Sequence, residues 1–287
     1  MPQRARTVNA AGLSVAFRDS GTAGPPIVFL HGSGFSMDAF ARQFSSDILR
    51  GHRLIAIDLP GHGASDDAKD AEDVYSLRGF ATITRTVLEQ IGVRRATLAG
   101  WSLGAHVAME LLATSEVAAG IAITGAPPIA LGPLGLLRGF NKHWDVLLTS
   151  KEHFTDKDAA RFLSLCLGVD RDEPAFVRAL HRADGRVRSN FVRSILRGEG
   201  ADEARAVAAS DVPITVINGA DEPFTRLNYV AGLTYGNLWR ESCYVIEGAG
   251  HAPFWQKPNI YNTLLRSFVD EVANREAVAQ GRHHRIA

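Results

Sequence analysis

The chain has 287 residues, 46% of them hydrophobic and 22% charged, a balance that suits one large globular unit with a core of its own. Lys plus Arg number 31 and Asp plus Glu number 31, so the formal net charge is zero. A neutral chain lacks the field that attracts nucleic acid or anionic membrane, which leaves a small, neutral or weakly charged molecule as the expected partner and the oligomeric state unspecified.

The N-terminal stretch MPQRARTVNAAGLSVAF has no secretory apolar run, and no segment approaches the ~18 apolar residues of a membrane span, so a cytoplasmic address is expected. Leu13–Phe17 reads as a strand and residues 21–26 as a turn-rich connection. Short apolar runs at Ile27–Leu30, Arg53–Asp58 and Ala96–Ala99 suit parallel strands buried on both faces. Between the last two, Leu77, Phe80, Ala81, Ile83, Val87, Leu88 and Ile91 place one apolar face on a helix over Ser76–Ile91. A helix follows Ser102, and Ala118–Thr124 is the next strand. From about 127 to 206 the pattern is mostly helical, with Phe140, Trp144, Phe154, Phe162 and Phe176 set among charged residues. Strands return at Pro213–Ile217 and Cys243–Ile246, a helix runs from Pro258 to Val272, and a polar tail from Asn274 is expected to fray. The reading is an α/β fold with a mostly parallel sheet covered on both faces. Its core spans 1–126 and 207–287, with a helical lid over 127–206. Cys166 and Cys243 read as buried free thiols. Neither they nor His283 and His284 have metal-ligand spacing, so no metal and no cofactor are expected.

Gly100-Trp101-Ser102-Leu103-Gly104 follows a strand and opens a helix, which is the setting of a nucleophile elbow: a sharp turn lifts the serine hydroxyl above the sheet at a helix N-terminus. A serine needs a base, and His251 in Gly248-Ala249-Gly250-His251 lies late in the chain, after the last strand, where the order Ser, acid, His places it. His52, His106, His143, His153 and His181 sit on helices or their flanks with no constellation around them. For the orienting acid, Asp221 and Glu222 compete in Gly219-Ala220-Asp221-Glu222-Pro223. Spacing to Gly219 and Pro223 favours Glu222, with Asp221 as the alternative. His31-Gly32-Ser33-Gly34 follows a strand and is expected to supply the Ser33 N–H to an oxyanion hole completed by Leu103 N–H. His31 and His62 read as scaffold, and the weakest assignments, to substrate binding, fall on His31, Trp101, Phe140, Trp144 and Phe162. The lid aromatics suit an acyl-chain site and the lid's own core equally well.

HGSG, DLPGHG-x-S, GWSLG and GAGHAPF, in this order, resemble the α/β-hydrolase superfamily over nearly the whole chain. SLRGFA, GWSLGAHVAMELLA, AITGAPP, VINGADEPF and YGNLW resemble its N-acyl-homoserine-lactone lactonases more narrowly. That resemblance implies a Ser–Glu–His triad, which supports Glu222, and lactone ring opening of the quorum-quenching kind. Two places depart from those lactonases: the residues after His31-Gly32 differ, and Phe162 stands where a tyrosine is expected near the lactone ring. A general carboxylesterase, a carbon–carbon bond hydrolase of ring-cleavage products, and a non-catalytic receptor on the same fold are the alternatives. Serine at position 102 argues against a dehalogenase, whose nucleophile is an aspartate.

Overall fold

The computed structural model describes residues 4–168 and 173–283. Its strands are β1 (Arg6–Ala10), β2 (Leu13–Asp19), β3 (Pro26–Leu30), β4 (Arg53–Ile57), β5 (Ala96–Trp101), β6 (Ala118–Thr124), β7 (Ile214–Gly219) and β8 (Leu238–Ile246). They form one sheet in the order β1-β2-β4-β3-β5-β6-β7-β8. The pairs β1–β2 and β2–β4 are antiparallel, and the others are parallel. The longer helices are α1 (Leu77–Gln90), α2 (Leu103–Thr114), α3 (Pro133–Gly139), α4 (Asp156–Leu167), α5 (Pro174–Arg182), α6 (Arg186–Leu196), α7 (Glu203–Ala209) and α8 (Pro258–His283). This is the α/β-hydrolase fold.

Strand alternation assigns the two faces. Val28, Leu30, Ile55 and Ile57 point to the face packed with Phe80, Val87, Leu103 and Val107 of α1 and α2. Ile27, Phe29, Leu54 and Ala56 point to the face packed with Leu265, Phe268 and Val269 of α8. Because both faces are covered, the central strands read as continuous apolar runs. Helix α1 starts where Ser76 Oγ accepts the Gly79 N–H at 3.0 Å, and its buried residues are those the apolar spacing marked. The helices between β6 and β7 form the segment expected as a lid. α7 spans its expected end at 206/207 and packs on α2, on the sheet side of that boundary.

Three elements differ from the expectations. β1 is additional, and β8 begins five residues before Cys243, at Leu238. Both are edge strands with exposed faces, so neither carries an apolar run. α8 continues to His283 through the expected frayed tail, helped by Arg95 Nε donating to Glu276 Oε1 at 2.6 Å; His284 lies outside the described residues. Cys166 is buried, which pushes its thiol well above the usual range, whereas Cys243 is only half-buried, and both are free. Among the described residues, no helix is long and apolar enough to cross a membrane.

Phe268 is fully buried where α8 meets the sheet, with the Trp239 ring 5.6 Å away and Gly120 leaving room beneath it. Phe268→Ala is expected to destabilise the fold by about 3–5 kcal/mol, measured by urea denaturation.

Candidate active site

β5 is buried along its whole length and delivers Ser102 to the N-cap of α2 with φ 53° and ψ −119°. Such a backbone costs a non-glycine residue about 1–3 kcal/mol and persists only where its surroundings impose it. Here Ser102 N–H donates to Thr124 O at 2.8 Å, and Ser102 O accepts from Ala105 and His106 N–H at 2.9 and 3.2 Å. The flanking glycines permit the turn. A Cβ on Gly104 would lie 2.0 Å from Leu30 O, and one on Gly100 would lie 2.4 Å from Ala105 Cα.

His251 follows β8 in a small-residue loop and is 2% exposed. Its Nδ1 lies 2.9 Å from both Glu222 carboxylate oxygens. Glu222 Oε1 also accepts the Phe224 and Thr225 N–H groups at 2.8 and 3.2 Å, so the buried carboxylate is held from both sides. Asp221, the alternative acid, is exposed, and its own N–H donates to Ala249 O at 2.9 Å. Between the two neighbours, Glu222 is the carboxylate that the structure brings to His251. Gly125, at φ 65°, leaves room for the imidazole: a Cβ there would lie 2.7 Å from His251 Cε1.

The loop after β3 carries Ser33 beside Ser102. Leu103 is the first residue of α2, so its N–H has no acceptor within the helix. The neighbouring loop donors are taken: Gly34 N–H by His62 Nε2 at 3.0 Å and Phe35 N–H by Gly32 O at 3.2 Å. His31 donates from Nδ1 to Gly32 O at 2.8 Å and accepts the Leu59 N–H at Nε2, 3.0 Å. Burial holds His31 down at about 4, and it depresses His62, which donates from Nδ1 to Pro60 O, well below the usual range. Both rings are therefore neutral pins of the loop. Asp58, pushed up to about 6 by burial, accepts Met37 and Ala64 N–H at 2.7 and 2.8 Å beneath it.

The site opens on a cavity of about 750 Å³. Ser33, Ser102, Leu103 and His251 lie on its wall together with Phe140, Trp144 and Phe162, the last three placed here by the sequence. Trp144 stands 87% exposed, whereas Phe162 is buried and stacks near Phe35. Phe154 and Phe176 fall outside the wall: Phe154 lies under the Arg188 guanidinium at 4.0 Å, and Phe176 packs edge-on to Trp255. Two substrate-contact expectations need correction. His31 spends both ring nitrogens on backbone, and Trp101 is buried with its Nε1–H donated to His251 O at 2.9 Å, so neither borders the cavity. His106, read from the sequence as having no constellation around it, is also on the wall, and its Nδ1 lies 2.8 Å from Glu203 Oε1. The local sequence of α2 carries no signal for the pair, because Glu203 is 97 residues away.

A family model described as the alpha/beta hydrolase family matches residues 27–262. The chain belongs to that family. Among solved structures, this alpha/beta hydrolase is similar to N-acyl homoserine lactonase AidH, in a serine-to-glycine mutant complexed with N-hexanoyl homoserine lactone. That match has a TM-score of 0.90 and 34% identity, and it covers 94% of this chain and 99% of that one. Among curated proteins, it is 26% identical over 276 residues to a 2-hydroxy-6-oxononadienedioate/2-hydroxy-6-oxononatrienedioate hydrolase of Paraburkholderia phymatum, covering 90% of this chain and 92% of the relative. It is also 25% identical over 269 residues to an esterase of Mycobacterium tuberculosis, covering 91% and 87%. The alpha/beta hydrolase is an enzyme of ester-bond hydrolysis.

Gly104→Ala must push β3 and α2 apart and is expected to cost about 1–3 kcal/mol in urea denaturation, while Gly51→Ala, in open space, stays near neutral. The pH dependence follows from the two neutral rings. Between about 6.5, the ordinary histidine value, and about 4, the unfolded chain binds protons that native His31 refuses, so stability falls as the pH drops through that window. Asp58 acts in the opposite sense below about 6. Replacing His31 by Gln is expected to flatten the loss of stability on going from about pH 7 to about pH 5, read by denaturation at each pH.

Proposed function

We propose that the enzyme opens the ring of N-acyl-homoserine lactones through an acyl-enzyme on Ser102. The observation that supports this reading is that Ser102 and the Glu222-bonded His251 border one apolar-walled cavity, in a fold similar to that of a lactonase solved with such a lactone.

In the proposed reaction, Ser102 Oγ attacks the lactone carbonyl as its proton passes to His251 Nε2. Glu222, on Nδ1, fixes the tautomer and stabilises the imidazolium. The oxyanion takes hydrogen bonds from the Leu103 and Ser33 N–H groups, each contributing about 3–4 kcal/mol in comparable sites. Collapse breaks the ring C–O bond, and His251 returns the proton to the departing alkoxide. That new hydroxyl stays tethered to the acyl group and competes with water for the ester. Turnover then depends on a water, activated by His251, reaching the acyl-enzyme first; the products are free Ser102 and an N-acyl-homoserine. The segment over 127–206 serves as the lid, with Phe140, Trp144 and Phe162 holding the acyl chain. Phe162 adds packing to the pocket and no hydroxyl.

Hydrolysis of dicarboxylates, as in the name of the Paraburkholderia relative, fits this cavity less well. Of the described residues on its wall, only Lys142 carries a fixed positive charge. Destroying such lactones would silence the signalling that depends on them.

A panel of N-acyl-homoserine lactones, p-nitrophenyl esters and vinylogous diketo acids tests the reading. The lactones are expected to give the highest kcat/KM, and Ser102→Ala to lower it by at least about 1000-fold. Glu222→Gln should cost about 100-fold or more, and Asp221→Asn less than about 3-fold. Lactone turnover at background would refute the lactonase assignment, and a lethal Asp221 change would refute the acid.

A further inference from the structure

The cavity holds a second imidazole–carboxylate pair that the reaction above does not use. His106 lies one helical turn beyond Ser102, joined to it by the backbone bond from His106 N–H to Ser102 O at 3.2 Å. It is 3% exposed, and what remains open faces the cavity. Its Nδ1 sits 2.8 and 3.0 Å from the two oxygens of Glu203, which is itself 1% exposed and also accepts the Ile129 N–H at 3.0 Å. A carboxylate only accepts, so Nδ1 carries the proton in that bond, and a ring with a single proton presents Nε2 as an acceptor. Among the described residues, Nε2 has no hydrogen-bond partner. Phe140 and Phe191 flank the ring, with centroids 6.2 and 5.5 Å away. Nε2 thus offers a ligand in the cavity an acceptor of fixed tautomer flanked by phenyl rings.

We infer that His106 Nε2 accepts the amide N–H of an acylamino ester or lactone, which makes His106 a specificity-determining residue, with Glu203 the residue that positions it. The inference rests on the reading that Ser102 attacks an ester carbonyl in this cavity. The reach is consistent with that chemistry. Ser102 and His106 border the same cavity. A carbonyl carbon in attack position lies about 3–3.5 Å from Ser102 Oγ. The amide nitrogen of an acylamino substrate is two bonds from that carbon, and so within the cavity that His106 borders. A plain alkanoate offers no donor there.

The test uses substrates that differ only in that N–H: the p-nitrophenyl ester of N-hexanoylglycine against p-nitrophenyl 4-oxononanoate, in which CH₂ replaces NH. N-hexanoyl-homoserine lactone and its CH₂ analogue form a second pair. Each kcat/KM ratio is taken on one preparation, corrected for spontaneous hydrolysis, so the fraction of folded enzyme cancels. Wild type is expected to prefer the amide member of each pair by about 10-fold or more, the scale of one hydrogen bond. His106→Leu is expected to bring the ratio near one, and His106→Gln, whose carbonyl oxygen still accepts, to keep part of it. Glu203→Leu, which releases the ring's tautomer and orientation, is expected to lower the ratio as well. A wild type without the preference, a preference unchanged in His106→Leu, or equal losses on both members of a pair would each overturn the inference. If wild type ignores both lactones but keeps the preference on the esters, the lactone reading fails and the role of His106 stands.

Discussion

The backbone of Ser102, forced to φ 53° between a buried strand and a helix, is the constraint to which the rest of the site answers. The turn exists because Gly104 lets α2 press against the Leu30 carbonyl, and because Gly100 lets the strand pass under Ala105. Close approach of β3 to α2 in turn brings the loop after β3, with Ser33, to the same point as the first N–H of the helix. Loosening one of these contacts would move a hydroxyl and the neighbouring backbone donors together. The stored strain is offset by the covered sheet on both sides, where Val28 and Leu30 face one apolar layer and Ile27 and Phe29 the other.

Around that turn, buried polar groups are held by specific hydrogen-bond partners. Two histidines are neutral and spend their nitrogens on backbone; two others give Nδ1 to a buried carboxylate. Each of those carboxylates also accepts backbone N–H groups, Phe224 and Thr225 at Glu222 and Ile129 at Glu203. A low-dielectric cavity makes such full partnering necessary, because an unpaired carboxylate there would carry its whole desolvation penalty. It also leaves each imidazole of the second kind with one free nitrogen and a defined tautomer.

Legibility in the sequence followed burial. The central parallel strands are apolar on both faces and announced themselves as runs, and the elbow glycines announced the turn between β5 and α2. That Glu222 meets His251 was readable from its distance to Gly219 and Pro223. β1 and the first half of β8 were not readable, because an edge strand with an exposed face carries polar residues such as Arg6, Arg240 and Glu241. The polar end of α8 hid its helix, since Arg95, which reaches Glu276, comes from a distant part of the chain. His106 and Glu203 were missed for the same reason: each is unremarked locally, and only the packing of α7 on α2 makes them a pair. Trp101 misled because its neighbour Ser102 borders the cavity, yet its own side chain is buried away from it.

That hidden indole has a mechanical consequence. Through Nε1, Trp101 grips the carbonyl of His251, 150 positions further on. Ser102 and His251 are thus both tied to one buried strand, and the histidine loop rides with the turn rather than against it. Small flexing of the sheet then carries serine and imidazole in step, so their spacing is insulated from motions of the helices above.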